Sequence, residues 1–236
     1  MKFIKEEKFY VDADSAEDTQ ESTVEVEGLV DDLHQQLMEL PAGHEPVARA
    51  DLLLALARAL LRLEQQEDTW AKAREAFDIY LSGQNWEGAV QACEVMFSAD
   101  QEESLPALGQ GIWLAVTYPI DPELSVAMLQ HVIDETPSDS QGAAVAAVTA
   151  HYIADLRAPE GKDRDNLLFY TNQMVATVAR RQGEVHDQSA FDAWFAKLEL
   201  NDPAKFLPRL RNVVDVLVQD NWWFDREELA AALPVN

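Results

Sequence analysis

From Gly28 onward, apolar residues recur at three- and four-residue steps, and no convincing alternation of five or more residues interrupts them. The first spacing lays one apolar stripe along a helix; a half-buried strand needs the second. Such a chain buries its stripes by packing helix against helix. The first stripe is Leu29, Leu33, Leu37 and Leu40, and Pro41-Ala42-Gly43 ends it. Pro46 suits the first turn of the next helix, which is expected to run to about Gln66, because the N–H it lacks has no partner there. Asp68 or Thr69 is the expected cap of a helix through Tyr80, and Asn85 that of a helix from Trp86 to Ser98. Asp121-Pro122-Glu123 combines a cap, a first-turn proline and a carboxylate at the positive end of the helix. Further helices are expected over Leu105–Tyr118, Asp139–Leu156, Asp165–Arg181, Ser189–Leu198, Asp202–Gln219 and Asp225–Leu233, about eleven in all. Ala143, Ala144, Ala146, Ala147 and Ala150 would let neighbours approach closely. With only 9 Gly and 10 Pro in 236 residues, the chain is poor in the turn formers of a β protein. The expected class is all-α: antiparallel helix hairpins in a right-handed array or a compact irregular bundle.

Charge is laid out unevenly. Residues 1–156 carry a net of −22 and residues 157–236 a net of −3, out of −25 for the whole. No Lys or Arg lies between Lys8 and Arg49, where eleven carboxylates do, nor between Arg74 and Arg157, where thirteen do. Such a field favours encounter with a cationic surface; it also serves solubility or adaptation to salt. It argues against a nucleic-acid binder, which needs clustered Lys and Arg. Residues 1–27 read as a flexible acidic arm, Ser/Thr-rich and with only Val24 and Val26 as sizeable apolar groups over 12–27. Residues 28–236 read as one helical domain, with 157–164 as the place where it would subdivide. No secretory signal and no uncharged apolar window of membrane-spanning length occur, so the expectation is a cytoplasmic protein without membrane insertion.

Two helix pairs superpose at an offset of 36 residues. Ala73, Ala76, Phe77 and Tyr80, then Ala89, Cys93 and Met96, match Gly109, Ile112, Trp113 and Val116, then Ser125, Leu129 and Val132, with Pro137 closing the second pair. Over about residues 70–137 this spacing resembles the tetratricopeptide repeat. Phe77 and Trp113 stand where that family has a small residue, and Ala73 and Gly109 where it often has an aromatic. The resemblance implies a concave binding surface and no chemistry of its own.

Signatures of catalysis are missing. The five histidines are His34, His44, His131, His151 and His186. Only Asp31-x-x-His34 has a carboxylate three residues upstream, and the paired Glu-x-x-His set of a di-metal bundle does not occur. His131 with Glu135 and His151 with Asp155 read as surface ion pairs. The single cysteine, Cys93, excludes a disulfide within the chain and reads as a small buried hydrophobe. Gly109-Gln110-Gly111 lies in an apolar helical stretch, unlike a phosphate loop. Glu184-Val185-His186-Asp187 reads as a polar loop. No catalytic residue, metal ligand or cofactor is expected. Trp222-Trp223-Phe224 reads either as a plug pinning the last helix to the body or as an exposed recognition anchor.

The function expected from these features is that of a non-enzymatic adaptor binding a basic protein surface or peptide. Glu102, Glu103, Asp121 and Glu123 would steer the partner, and Tyr80, Trp113, Trp222 and Trp223 would supply contact. In size, acidity and helical content the chain is also similar to the cytoplasmic maturation chaperones of molybdenum-containing redox enzymes. That similarity implies binding of twin-arginine signal peptides, although Glu45-Pro46-Val47-Ala48-Arg49 departs from the family's Glu-Pro-x-Asp-His. A nucleic-acid mimic and a helical metalloenzyme are the remaining alternatives.

Overall fold

The structure, a computed structural model, describes residues 16–183 and 185–233. Among them every regular element is a helix: α1 Ala16–Glu39, α2 Pro46–Arg62, α3 Gln66–Ser82, α4 Trp86–Ser98, α5 Ser104–Thr117, α6 Pro122–Glu135, α7 Gln141–Arg157, α8 Lys162–Gln182, α9 Gln188–Lys197, α10 Pro203–Val218 and α11 Arg226–Ala231. The expected class is observed, and no described helix is long and apolar enough to cross a membrane. Of the expected arm, residues 1–15 lie outside the described residues. From Ala16 the chain is already helical. Two compact units divide between Gly111 and Ile112, inside α5, and the 157–164 segment lies within the second.

In the first unit α1 packs on α2, α2 on α3, and α3 on α4, the consecutive packing that a helical repeat requires. The face of α1 that meets α2 is Val26, Val30, Leu33 and Leu37, against Leu56, Ala59 and Leu60. Leu29, which the sequence placed on that stripe, is 43% exposed, and Val26 is 4% exposed. The stripe thus starts at Val26, two residues before Gly28, inside acidic sequence. Ala50, Ala57, Ala73, Ala76, Ala89 and Ala92 have no exposed surface, so the α2, α3 and α4 backbones approach closely around Phe77 and Tyr80. Gly88 is the tightest such point: a Cβ there would lie 2.6 Å from Tyr80 Cδ1.

In the second unit α7 packs against α6, α8 and α10. Its five alanines at 143, 144, 146, 147 and 150 are fully buried, as their clustering predicts. Thr149, buried among them, satisfies its hydroxyl by donating to Val145 O at 2.8 Å.

Caps explain the boundaries. Asn85 accepts from Gly88 N, Asp121 from Glu123 N and Leu124 N, Asp202 from Ala204 N, and Asp225 from Glu227 N and Glu228 N. The first helical residue of α3 is Gln66, and neither Asp68 nor Thr69 caps it. Thr69 is buried, its hydroxyl donating back to Gln65 O. Ser140 caps α7 by accepting from Gly142 N, so the helix starts at Gln141, two residues after the expected Asp139.

Helix ends show a device the sequence conceals. After α2, α3 and α9 the chain makes the same paired turn. Glu64 N, Gln84 N and Glu199 N bond the carbonyls of Leu61, Leu81 and Ala196, while Gln65 N, Asn85 N and Leu200 N bond those of Leu60, Tyr80 and Phe195. The motif requires a left-handed residue, usually glycine. Here Glu64, Gln84 and Glu199 take it, with φ of 57°, 55° and 53°. Gly83 sits one position too early, at φ −84°. Replacing Gln84 by Gly should therefore stabilise the protein by about 0.5–1 kcal/mol, read as a higher urea midpoint at unchanged slope. Gly88→Ala should destabilise it by about 1–3 kcal/mol, because the new methyl displaces the Tyr80 ring.

Candidate functional site

The last turn of α5 exposes carbonyls with no helical partner. Arg157, at the end of α7, supplies it: Nη1 donates to Ala115 O at 2.7 Å and Nη2 to Val116 O at 2.8 Å. Burial pushes the guanidinium below its ordinary value. The negative end of the helix dipole works the other way and favours the cation. Ser125 Oγ reaches the buried Ala115 carbonyl as well, at 3.5 Å. These bonds fix the segment that carries Trp113.

An aromatic cluster forms around that residue. The Trp113 ring lies 5.3 Å from Phe224, 6.4 Å from Trp222 and 6.4 Å from Tyr118, centroid to centroid. Trp222 and Phe224 meet edge-on at 5.7 Å. The Arg226 guanidinium sits 3.9 Å over the Trp222 ring and pairs with Asp215 Oδ1 at 2.6 Å, a cation held by a π face and a carboxylate together. Tyr118 donates to Leu229 O at 3.4 Å, and burial raises its phenol above the ordinary value. Residues 222–229 are in this way fastened to the end of α5 and to α10.

Beside the cluster lies an apolar pocket of about 200 Å³, walled by Trp113, Ile112 and Val116 from α5 and by Leu207, Leu210, Arg211 and Val214 from α10. Half-buried Trp113 thus does two things: it packs into the cluster and presents surface to the pocket. A second, more polar depression of about 220 Å³ is lined by Glu123, Asp163, Asn166, Leu167 and Tyr170.

The residues singled out in the sequence separate into groups. Trp113 and Trp222 come together, and Trp223 is half-buried in the same segment. Trp222 and Phe224 meet the description of a plug against the body. Asp121 is exposed but engaged as the α6 cap, and Glu123 is exposed at the polar depression. Tyr80, Glu102 and Glu103 belong to the first unit. Tyr80 is a core residue, 2% exposed, with its hydroxyl on Asp51 Oδ1 at 2.7 Å; burial and that carboxylate raise its pKa. It does not form the open wall expected of it. Glu102 is exposed and Glu103 half-buried ahead of α5. The α10 wall was missed, though Phe206, Leu210, Val214 and Val218 repeat at four-residue steps and mark its buried face.

The sequence's doubtful chemistry resolves locally. Cys93 is fully buried, and burial pushes its thiol up. His151 and Asp155 do not pair: His151 Nδ1 meets Thr171 Oγ1 at 3.0 Å, and Asp155 Oδ1 takes Arg164 at 2.5 Å. Asp187 caps α9 by accepting from Ala190 N, while Glu184 lies outside the described residues. Among the described residues no group of three or more His, Cys, Asp or Glu is placed to hold a metal ion. No protein-family model matches the chain, and neither a curated protein nor a solved structure matches it.

Since Trp113 and Phe224 touch, their truncations should not add. A double-mutant cycle of Trp113→Ala and Phe224→Ala, read by denaturant unfolding, should give a coupling of about 0.5–1.5 kcal/mol. Additive losses would mean that the C-terminal segment is not seated on Trp113.

Proposed function

We propose that the chain is a non-enzymatic protein-binding scaffold that takes up a basic segment of a partner carrying an apolar side chain. The observation that carries this reading is the pocket beside Trp113. One tryptophan, positioned by ring contacts and by the bonded end of α5, lines an apolar recess of side-chain size. Preset aromatic walls lower the cost of ordering on binding, and tryptophan is enriched where binding energy concentrates. The acidity supports a cationic partner, because the net of −25 raises the local concentration of positive segments and speeds encounter. The exposed carboxylates Glu102, Asp121 and Glu123, with Glu103, act at this stage, and the recess acts on dissociation. The tetratricopeptide-like reading supports the same class of function, through consecutive hairpins that build a surface for peptides.

The test uses a short Lys- and Arg-rich peptide with one central leucine, its Glu-substituted counterpart, and the same basic peptide with the leucine changed to serine. The basic leucine peptide should bind, and its association should slow as salt rises, since charges are screened beyond about 10 Å at 0.1 M ionic strength. Converting Glu102, Glu103 and Glu123 to Gln and Asp121 to Asn in one variant should lower the association rate and leave dissociation nearly unchanged; asparagine keeps the α6 cap. The serine peptide should dissociate faster. Equal binding of the acidic peptide, or an association rate indifferent to salt and to the four amides, would overturn the reading.

A further inference from the structure

The walls of the Trp113 recess carry one charged group, and it is a cation. Seven of its eight lining residues are uncharged, and the eighth is Arg211, on α10, with 74% of its side chain exposed. Other arginines of the unit are answered: Arg157 by two carbonyls, Arg164 by Asp155 and Arg209 by the carbonyl of Leu198. Arg211 is not. Among the described residues its one polar contact is Nε to Asp215 Oδ2 at 4.0 Å, too long for a hydrogen bond. Asp215 has a closer cation, because Arg226 Nη1 holds its Oδ1 at 2.6 Å.

Two guanidinium groups therefore share one carboxylate beside the recess. In a chain of net −25, that corner holds one more positive charge than the carboxylate can answer. The planar fork of Arg211 is left for a group from outside, and a carboxylate matches such a fork with two parallel bonds.

We infer that the recess takes an apolar side chain whose neighbour carries a carboxylate, and that Arg211 selects this neighbour. The inference rests on the reading of the recess as the seat of the partner's apolar side chain, and adds what stands next to it. Two charge preferences act at different ranges. The net charge acts during approach and favours a cationic segment, whereas Arg211 acts on one group within hydrogen-bond reach. The occupant is thus a basic protein segment with a single Asp or Glu directly beside its leucine-like side chain, because Arg211 stands in the wall itself. A neutral neighbour leaves the fork to water, and a Lys or Arg neighbour sets like charges together.

The test separates the recess from the approach. The full ¹⁵N-labelled chain is titrated with sodium N-acetyl-leucinate and with N-acetyl-leucinamide, probes that share the apolar side chain and differ in the carboxylate. The readout is the indole signal of Trp113, assigned by Trp113→Phe. Both probes should shift it saturably, the leucinate about threefold more tightly, as an exposed ion pair provides. The overall charge alone gives the opposite order, since it repels the anion. Arg211→Gln should remove the preference and leave the amide unchanged, and Arg211→Lys should retain part of it. Lys197→Gln, which removes an exposed cation of α9 outside the recess, should leave it whole. In the basic leucine peptide, Asp directly after the leucine should slow dissociation relative to Asn, and Arg211→Gln should abolish the difference. A basic peptide that does not bind, beside a leucinate preference that Arg211→Gln removes, would count against the partner reading and for this one. Equal affinity of the two small probes, no saturable shift of Trp113, a preference that survives Arg211→Gln, or equal dissociation of bound Asp and Asn peptides would overturn the inference.

Discussion

A methyl group is the largest side chain at five of the buried crossing positions of α7, and this limits how the second unit is arranged. Helices with alanine at their contacts come closer than helices with leucine there, so one helix can touch α6, α8 and α10. Gly142 extends the same device to the start of α7, where a Cβ would come within 3.3 Å of Val213 Cγ2 on α10. The Trp113 recess has α10 as a wall, and a bulkier residue along α7 would push α10 outward and reshape it. Polar bonds add two ties: Arg157 of α7 to the end of α5, and Gln182 Nε2 of α8, which donates to Ser140 O at the start of α7.

That arrangement was partly legible in the sequence. Element type and order follow from period and punctuation, because proline, aspartate and asparagine caps act locally and need no tertiary information. The Asn85 and Asp121 caps stand where they were expected. Boundaries went wrong where the deciding force was not local. The α1 helix begins at Ala16 in a stretch too acidic and polar to suggest it, and burial of Val26 on α2 holds its described part. Turns with Glu64, Gln84 and Glu199 in the left-handed region carry no glycine to announce them.

The site was less legible than the fold. Trp113 could be singled out as a large aromatic at a repeat position, and the ring contacts place it with Trp222. Its other neighbours, Leu207 and Leu210, lie roughly a hundred residues away in the chain and share no motif with it. Tyr80 shows the reverse problem. Its repeat position suggested an open groove, but Gly88 and six buried alanines draw the helices together until the ring has only its hydroxyl edge left, on Asp51. His151 and Asp155 have the spacing of an ion pair, and each finds a better partner on α8. Spacing along one helix says which groups can meet, and the packed neighbour decides which do.

Acidity and the Trp113 recess are assigned successive parts in one binding event, approach and then seating. In the proposed function the partner's apolar side chain enters the recess beside Trp113. The six tryptophans of the chain make this directly measurable by ¹⁹F spectroscopy of protein carrying 5-fluorotryptophan, with each signal assigned by Trp→Phe substitution. On adding the basic leucine-bearing peptide, the Trp113 signal should shift saturably, with Trp222 following through ring contact, while Trp70 and Trp86 of the first unit stay in place. A peptide that binds and moves Trp70 or Trp86 while leaving Trp113 unmoved would contradict the account.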